Sequence, residues 1–203
     1  MKYNDFLKKL INNQYYVFSV RDLEILFPWE SKYSIKKSLY LWKKKGLIKS
    51  LKRNLYELTF PDDYNIPDLF IANKLYQPSY ISLETALSNF SIIPEISLAV
   101  TSMTTKPTRR FKNHHGLFTY QTVTSEKFGG YYIERINQFE IFIAEPEKAL
   151  VDYVYFRIIR EKLLTFKDTR IDLSVLEKMN KKKIIKYSTL YHKRKEICSI
   201  MKF

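Results

Sequence analysis

The chain has 203 residues, 45% of them hydrophobic and 16% aromatic, with only four glycines and seven prolines. That is enough apolar mass for one large domain or two small ones, and it excludes a disordered or low-complexity chain. The single cysteine excludes an intramolecular disulfide framework, and the formal charge of +14 suits a polyanionic partner, above all nucleic acid.

The charge is not spread evenly. Residues 1–60 carry 13 basic and 5 acidic side chains, residues 61–165 carry 11 and 12, and residues 166–203 carry 11 and 4. An AT-rich coding bias explains many lysines, but it predicts no such placement; positive ends with a neutral middle are what polyanion binding predicts. No run of 18 apolar residues is present, which predicts no membrane span. The start, MKYNDFLKKLINNQYYVF, places Lys8 and Lys9 inside its apolar stretch, unlike a secretory leader. The expected location is the cytoplasm.

In chain order, Phe6, Leu7, Leu10 and Ile11 have helical spacing. In FSVRDLEILFP, Ser19 and Asp22 form a capping-box pattern, Val20, Leu23 and Leu26 or Phe27 make the buried stripe, and Pro28 ends the helix. A third helix is predicted from about Ser31 to Lys45, with Ile35, Leu39 and Trp42 on one face and Gly46 as its C-terminal stop. LIKSL and NLYEL then alternate around Lys52, Arg53 and Asn54, which predicts a hairpin. Three helices and a basic hairpin have the order of a winged helix-turn-helix. Opposite the apolar face of the third helix lie Tyr33, Lys37, Tyr40 and Lys44, flanked by Lys36 and Lys43. A helix docked in a major groove needs such a cationic, polar outer face. Lys52 and Arg53 are placed to lie along the DNA backbone as a wing.

Residues 61–77 change character, with acids, prolines and a short apolar helix built on Ile66, Leu69, Phe70 and Leu75, and they read as a connector. From residue 78 the pattern predicts a capped helix from Ser82 to about Asn89. Strands follow at AVTSM and LFTYQTV, with RRFKNHHG as a basic loop between them. Two more strands, FGGYYIERI and QFEIFIAE, meet at a turn near Asn137. EPEKALVDYVYFRII predicts a helix with Pro146 in its first turn and Ala149, Leu150, Tyr153 and Val154 against the sheet. One short and one longer helix end the chain. Ile184, Ile185, Leu190, Ile197, Ile200 and Met201 form its apolar face, and Lys181, Lys182, Lys183, Lys186, Lys193, Arg194 and Lys195 form a possible second basic surface.

Chemistry-bearing clusters are few. His114 and His115 are adjacent, which points them in different directions, and no cysteine or carboxylate stands at ligand spacing, so no metal or other cofactor is expected. Cys198 reads as a buried structural thiol, and Gly129-Gly130 as a turn. Glu140, Glu145, Glu147 and Lys148 resemble the carboxylate-and-lysine set of a metal-dependent nuclease, but helix capping accounts for them better, and no catalytic residues are expected.

PSYISLETALSNFSIIPE, followed some fifty residues later by FEIFIAEPEKALVDYVYF, resembles the antitoxin domain of the AbiEi family. Tyr80, Ile81, Ser82, Ala86 and Leu87 match its first motif. Ala144, Pro146, Glu147, Lys148, Ala149, Leu150 and Asp152 match its second, which is the more specific of the two. Asn89-Phe90 stand where members often have His-Gly. The resemblance runs from about residue 5 to at least residue 165, with the winged helix first. It implies an α+β fold: a DNA-binding winged helix-turn-helix at 1–60, a connector at 61–77, and at 78–203 a mixed α/β antitoxin domain with basic C-terminal helices. It also implies a regulator that binds inverted repeats in its own promoter and counters a nucleotidyltransferase toxin of a type IV, abortive-infection system, without a stable complex between the two. The alternatives are a stand-alone repressor without a toxin, a nuclease, and an adaptor whose basic ends meet an acidic toxin or RNA.

Overall fold

The computed structural model describes residues 2–60, 65–95, 97–161 and 165–201. The architecture is α+β: N-terminal helices with a small three-stranded sheet, a central six-stranded mixed sheet, and C-terminal helices. Two compact units divide it, residues 1–67 with 113–115, and residues 68–112 with 116–203. The acidic start of the expected connector, residues 61–64, lies outside the described residues. Among those residues no helix is long and apolar enough to cross a membrane.

The first unit contains α1 (Tyr3–Asn12), β1 (Val17–Ser19), α2 (Val20–Leu26), α3 (Lys32–Lys44), β2 (Ile48–Lys52) and β3 (Leu55–Leu58). Its core takes Phe6 and Leu10 from α1, Val20 and Leu23 from α2, and Ile35, Leu39 and Trp42 from α3, all at the expected helical spacing, joined by Phe18, Phe27, Ile48 and Leu58, while Leu7 and Ile11 are only partly buried. Aromatic rings fill its centre, with the Phe6 ring 4.4 Å from Trp42 in a tilted contact and 5.4 Å from Phe18 edge-to-face. The Ser19 capping box is complete. The Asp22 carboxylate takes a hydrogen bond from the Ser19 backbone N–H, and Ser19 Oγ takes one from the Asp22 N–H. Gly46, at φ 71°, closes α3. Its N–H reaches the Lys43 carbonyl and the Leu47 N–H reaches the Trp42 carbonyl, a Schellman arrangement in which glycine tolerates the left-handed backbone. The hairpin forms as expected, with Asn54 at φ 64° in its turn. The additional strand β1 completes the sheet in the order β1-β3-β2.

The second unit contains α4 (Asp68–Leu75), β4 (Ser79–Ile81), α5 (Leu83–Asn89), β5 (Ala99–Thr104), β6 (Arg109–Asn113), β7 (Gly116–Thr122), β8 (Tyr131–Ile136), β9 (Phe139–Ala144), α6 (Pro146–Glu161), α7 (Leu173–Lys178), α8 (Lys181–Ser188) and α9 (Arg194–Ile200). The strand order is β6-β7-β5-β4-β9-β8, with β5–β7 and β4–β9 parallel and β4–β5 and β8–β9 antiparallel. Parallel strands need cover on both faces. Tyr120, in β7, donates to the Ala72 carbonyl of α4, whereas Tyr80, in β4, donates to Asp152 of α6.

Four expectations are corrected. The basic stretch at 109–113 is a strand, not a loop; it lies at the sheet edge, where charge discourages stray pairing. Ser82 occupies the N-cap position of α5, but its hydroxyl goes to Asp152, and Thr101 Oγ1 accepts from the Thr85 N–H in its place. The C-terminal segment forms three short helices, and Ile185 is exposed. Cys198 is half-buried, its Sγ 3.6 Å from Ser188 Oγ.

Candidate functional site

Helix α3 is sorted into two faces by its own sequence. Ile35, Leu39 and Trp42 are buried at 0%, 1% and 7% exposure, while Tyr33 and Tyr40 stand out at 77% and 68%. Lys36, Lys37, Lys43 and Lys44 are exposed with them, and none is paired with an acid among the described residues. The helix is held at one end by Ser31, whose Oγ accepts from the Ser34 N–H, and at the other by the Gly46 stop. A helix capped at both ends therefore presents a cationic, tyrosine-bearing stripe. Arg53 is exposed at the turn of the β2–β3 hairpin, and Lys52 is half-buried. Lys45 and Lys49, outside the predicted set, are also exposed on this unit.

The seven basic residues of the C-terminal segment do not behave alike. Lys183 is bound to Glu145 at 2.8 Å, and Lys193 to Glu196 at 2.8 Å. The Lys183 hydrogen bond holds the Glu145 carboxyl below the ordinary carboxylate range, and Tyr187, which also donates to Glu145, is pushed up to about 12, first by burial. Lys181, Lys182, Lys186, Arg194 and Lys195 are solvent-exposed, whatever else they contact.

A second cluster is wholly internal. Lys148 and Asp152, one turn apart on α6, are both at 0% exposure and form an ion pair. Asp152 Oδ2 accepts from Ser82 at 2.9 Å and from Tyr80 at 3.2 Å, and its Oδ1 accepts from Tyr191 at 2.5 Å. Lys148 also donates to the hydroxyls of Tyr80 at 3.0 Å and Tyr191 at 3.2 Å. Burial drives both tyrosine hydroxyls well above their ordinary range, and the Asp152 charge adds to it. The two sequence motifs, centred on Tyr80–Ser82 and Lys148–Asp152, thus meet in one hydrogen-bonded knot. It is closed to solvent, so it ties β4, α6 and the C-terminal segment together rather than offering a place for substrate. The carboxylates grouped with Lys148 in the nuclease reading go elsewhere: Glu140 pairs with Arg135 and Glu145 with Lys183, while Glu147 accepts from the Asn180 N–H.

The third cluster lies in the first unit. Glu57, on β3, is 4% exposed. His114 Nε2 contacts Oε1 of its carboxylate, and His115 Nε2 lies 2.7 Å from Oε2. Asn113 Nδ2 donates to the Leu51 carbonyl, and Asn113 Oδ1 accepts from the His115 N–H. Burial pushes the Glu57 carboxyl up, but the hydrogen bonds from His115 and His114 outweigh it, and the net shift is downward. The expected divergence of the two histidines does not occur. They sit in a turn rather than a strand, so both rings swing to one side, 4.4 Å apart. Their carboxylate comes from 57 residues earlier, and no local spacing rule reaches that far. No protein-family model matches the chain, and no curated protein matches it.

Proposed function

We propose that the protein is a winged helix-turn-helix regulator that binds double-stranded DNA with α3 in the major groove and the β2–β3 hairpin as its wing. The sorting of α3 carries this reading: a capped helix with one face in the core and the opposite face lined by Tyr33, Lys36, Lys37, Tyr40, Lys43 and Lys44. Lysines at these positions reach phosphates, and tyrosine hydroxyls reach phosphates or base edges. Arg53 at the hairpin turn extends the same contact. The exposed cations of the C-terminal helices supply a second phosphate-binding surface.

On the AbiEi-like motifs, the DNA target is the inverted repeats of the protein's own promoter. The second unit then carries the antitoxin role against a nucleotidyltransferase toxin, exercised without a stable complex. The meeting of both motifs at Lys148–Asp152 supports reading them as one structural signature. The test is titration of a duplex from the region upstream of the gene, followed by fluorescence anisotropy. Replacing Lys37 and Lys44 together by Ala should weaken binding at least about tenfold and cut the salt slope by about 2, with the circular dichroism spectrum unchanged. Unaltered affinity would overturn the assignment of α3. Co-expression with the adjacent gene separates an antitoxin from a stand-alone repressor: growth restored by this protein supports the former, and growth unaffected by it the latter.

A further inference from the structure

We propose that Glu57, His114 and His115 form a binding site for a divalent transition-metal ion of the zinc class, independent of the DNA-binding reading. The donor set comes first. One carboxylate and two neutral imidazoles carry a single negative charge toward a dication. This composition suits zinc and its first-row neighbours and disfavours magnesium or calcium, which prefer oxygen alone. The geometry comes second. The ligand atoms of all three residues lie within 4.8 Å of one another. In a tetrahedral zinc shell, donors about 2.0–2.1 Å from the ion stand roughly 3.3 Å apart. His115 Nε2 and Glu57 Oε2 are at 2.7 Å, so an ion enters if the imidazoles withdraw by less than about 1 Å, exchanging two hydrogen bonds for metal bonds.

The site is also built to be held in place. The backbone of Glu57 is fixed between two strands, opposite Val17 of β1 and Lys49 of β2. Asn113 clamps the histidine turn to Leu51 and to the His115 N–H, as outer-shell groups do around metal ligands. Among the described residues no ammonium or guanidinium is paired with Glu57, although its side chain is only 6% exposed. A dication offers this buried carboxylate a fixed positive charge beyond what its two imidazole partners supply. The histidine side chains, 35% and 21% exposed, leave one side of the cluster open to solvent, from which water completes the coordination.

The experiment uses the full chain without an affinity tag, stripped with chelator and titrated calorimetrically with zinc chloride. Cobalt(II) absorption serves as an independent probe of coordination. One equivalent should bind with micromolar or tighter affinity, cobalt should give the visible bands of a low-coordinate nitrogen–oxygen site, and magnesium should not compete. His114→Ala, at the exposed edge, should weaken zinc binding roughly tenfold or more, and Glu57→Gln should abolish it. Because Glu57 is buried, His114→Ala and His115→Ala carry the decision if Glu57→Gln fails to fold. Absence of saturable zinc binding, or equal binding by wild type and both histidine variants, would overturn the site and leave a hydrogen-bonded triad. None of these readouts involves DNA, so they stand or fall apart from the DNA assignment.

Discussion

Lys148 and Asp152 show how one pair of side chains can organise a unit while contributing little net stability. Removing two charges from water costs several kcal/mol per ion, and their attraction repays it only when every remaining donor and acceptor is satisfied. Here Ser82, Tyr80 and Tyr191 complete the set. Breaking the pair from one side leaves a buried charge without its counter-ion, so Lys148→Met should destabilise the protein by about 3–5 kcal/mol. The double change Lys148→Met with Asp152→Leu should cost less than Lys148→Met alone, because no bare charge remains. Urea midpoints for wild type, single and double variants check this, and a double variant worse than the single would show that the hydroxyl network matters more than the charges. The helical spacing of Lys148 and Asp152 was visible in the sequence. Their shared partners were not, because Ser82 and Tyr191 lie 70 and 39 residues from Asp152. The same holds for Glu57 and the two histidines, whereas the exposed face of α3 was readable because local periodicity alone decides it.

The elements divide along similar lines. Those with a clear apolar period, such as α1, α3 and α6, or with a capping box, such as α2, stand where their patterns put them. The strands β1 and β4 have three residues each, too few for alternation to register, and they exist because neighbouring strands supply their hydrogen bonds. The C-terminal segment is broken at Thr189–Lys193 without proline or glycine, so the break carries no punctuation in the sequence. Gly130, just before β8, shows how closely these elements meet. Its backbone is left-handed at φ 70°, and a Cβ there would stand 2.8 Å from the Tyr187 ring of α8 and 3.0 Å from Lys148 Cγ of α6. Gly130→Ala therefore meets two penalties, about 1–2 kcal/mol for the backbone and about 1–3 kcal/mol for overpacking. Gly129 has nothing within 4 Å of a built Cβ, and Gly129→Ala should be neutral to about 0.5 kcal/mol. Thermal unfolding of the two neighbours compares them directly. Equal melting temperatures would mean that β8 shifts to admit the methyl group.

At the scale of the whole molecule, charge is the property the sequence displayed most openly, and structure refines how much of it is available. Residues 1–60 and 166–203 carry net charges of +8 and +7 around a middle of −1. In the first segment Lys36, Lys37, Lys43, Lys44 and Arg53 are exposed, whereas in the second Lys183 and Lys193 are already bound to acids. Each phosphate neutralised contributes about −0.9 to the slope of log affinity against log salt. Five contacts from α3 and the hairpin turn therefore predict a slope of about −4 to −5 per bound chain. If the exposed C-terminal cations add their own contacts, as proposed, the slope steepens toward about −9. Replacing Lys181, Lys182 and Lys186 together by Gln should then reduce its magnitude by about 2–3 while leaving sequence preference untouched, since phosphate contacts position a protein without reading bases. A slope unchanged by that triple substitution would confine DNA binding to the first unit and assign the positive C-terminal helices to another acidic partner.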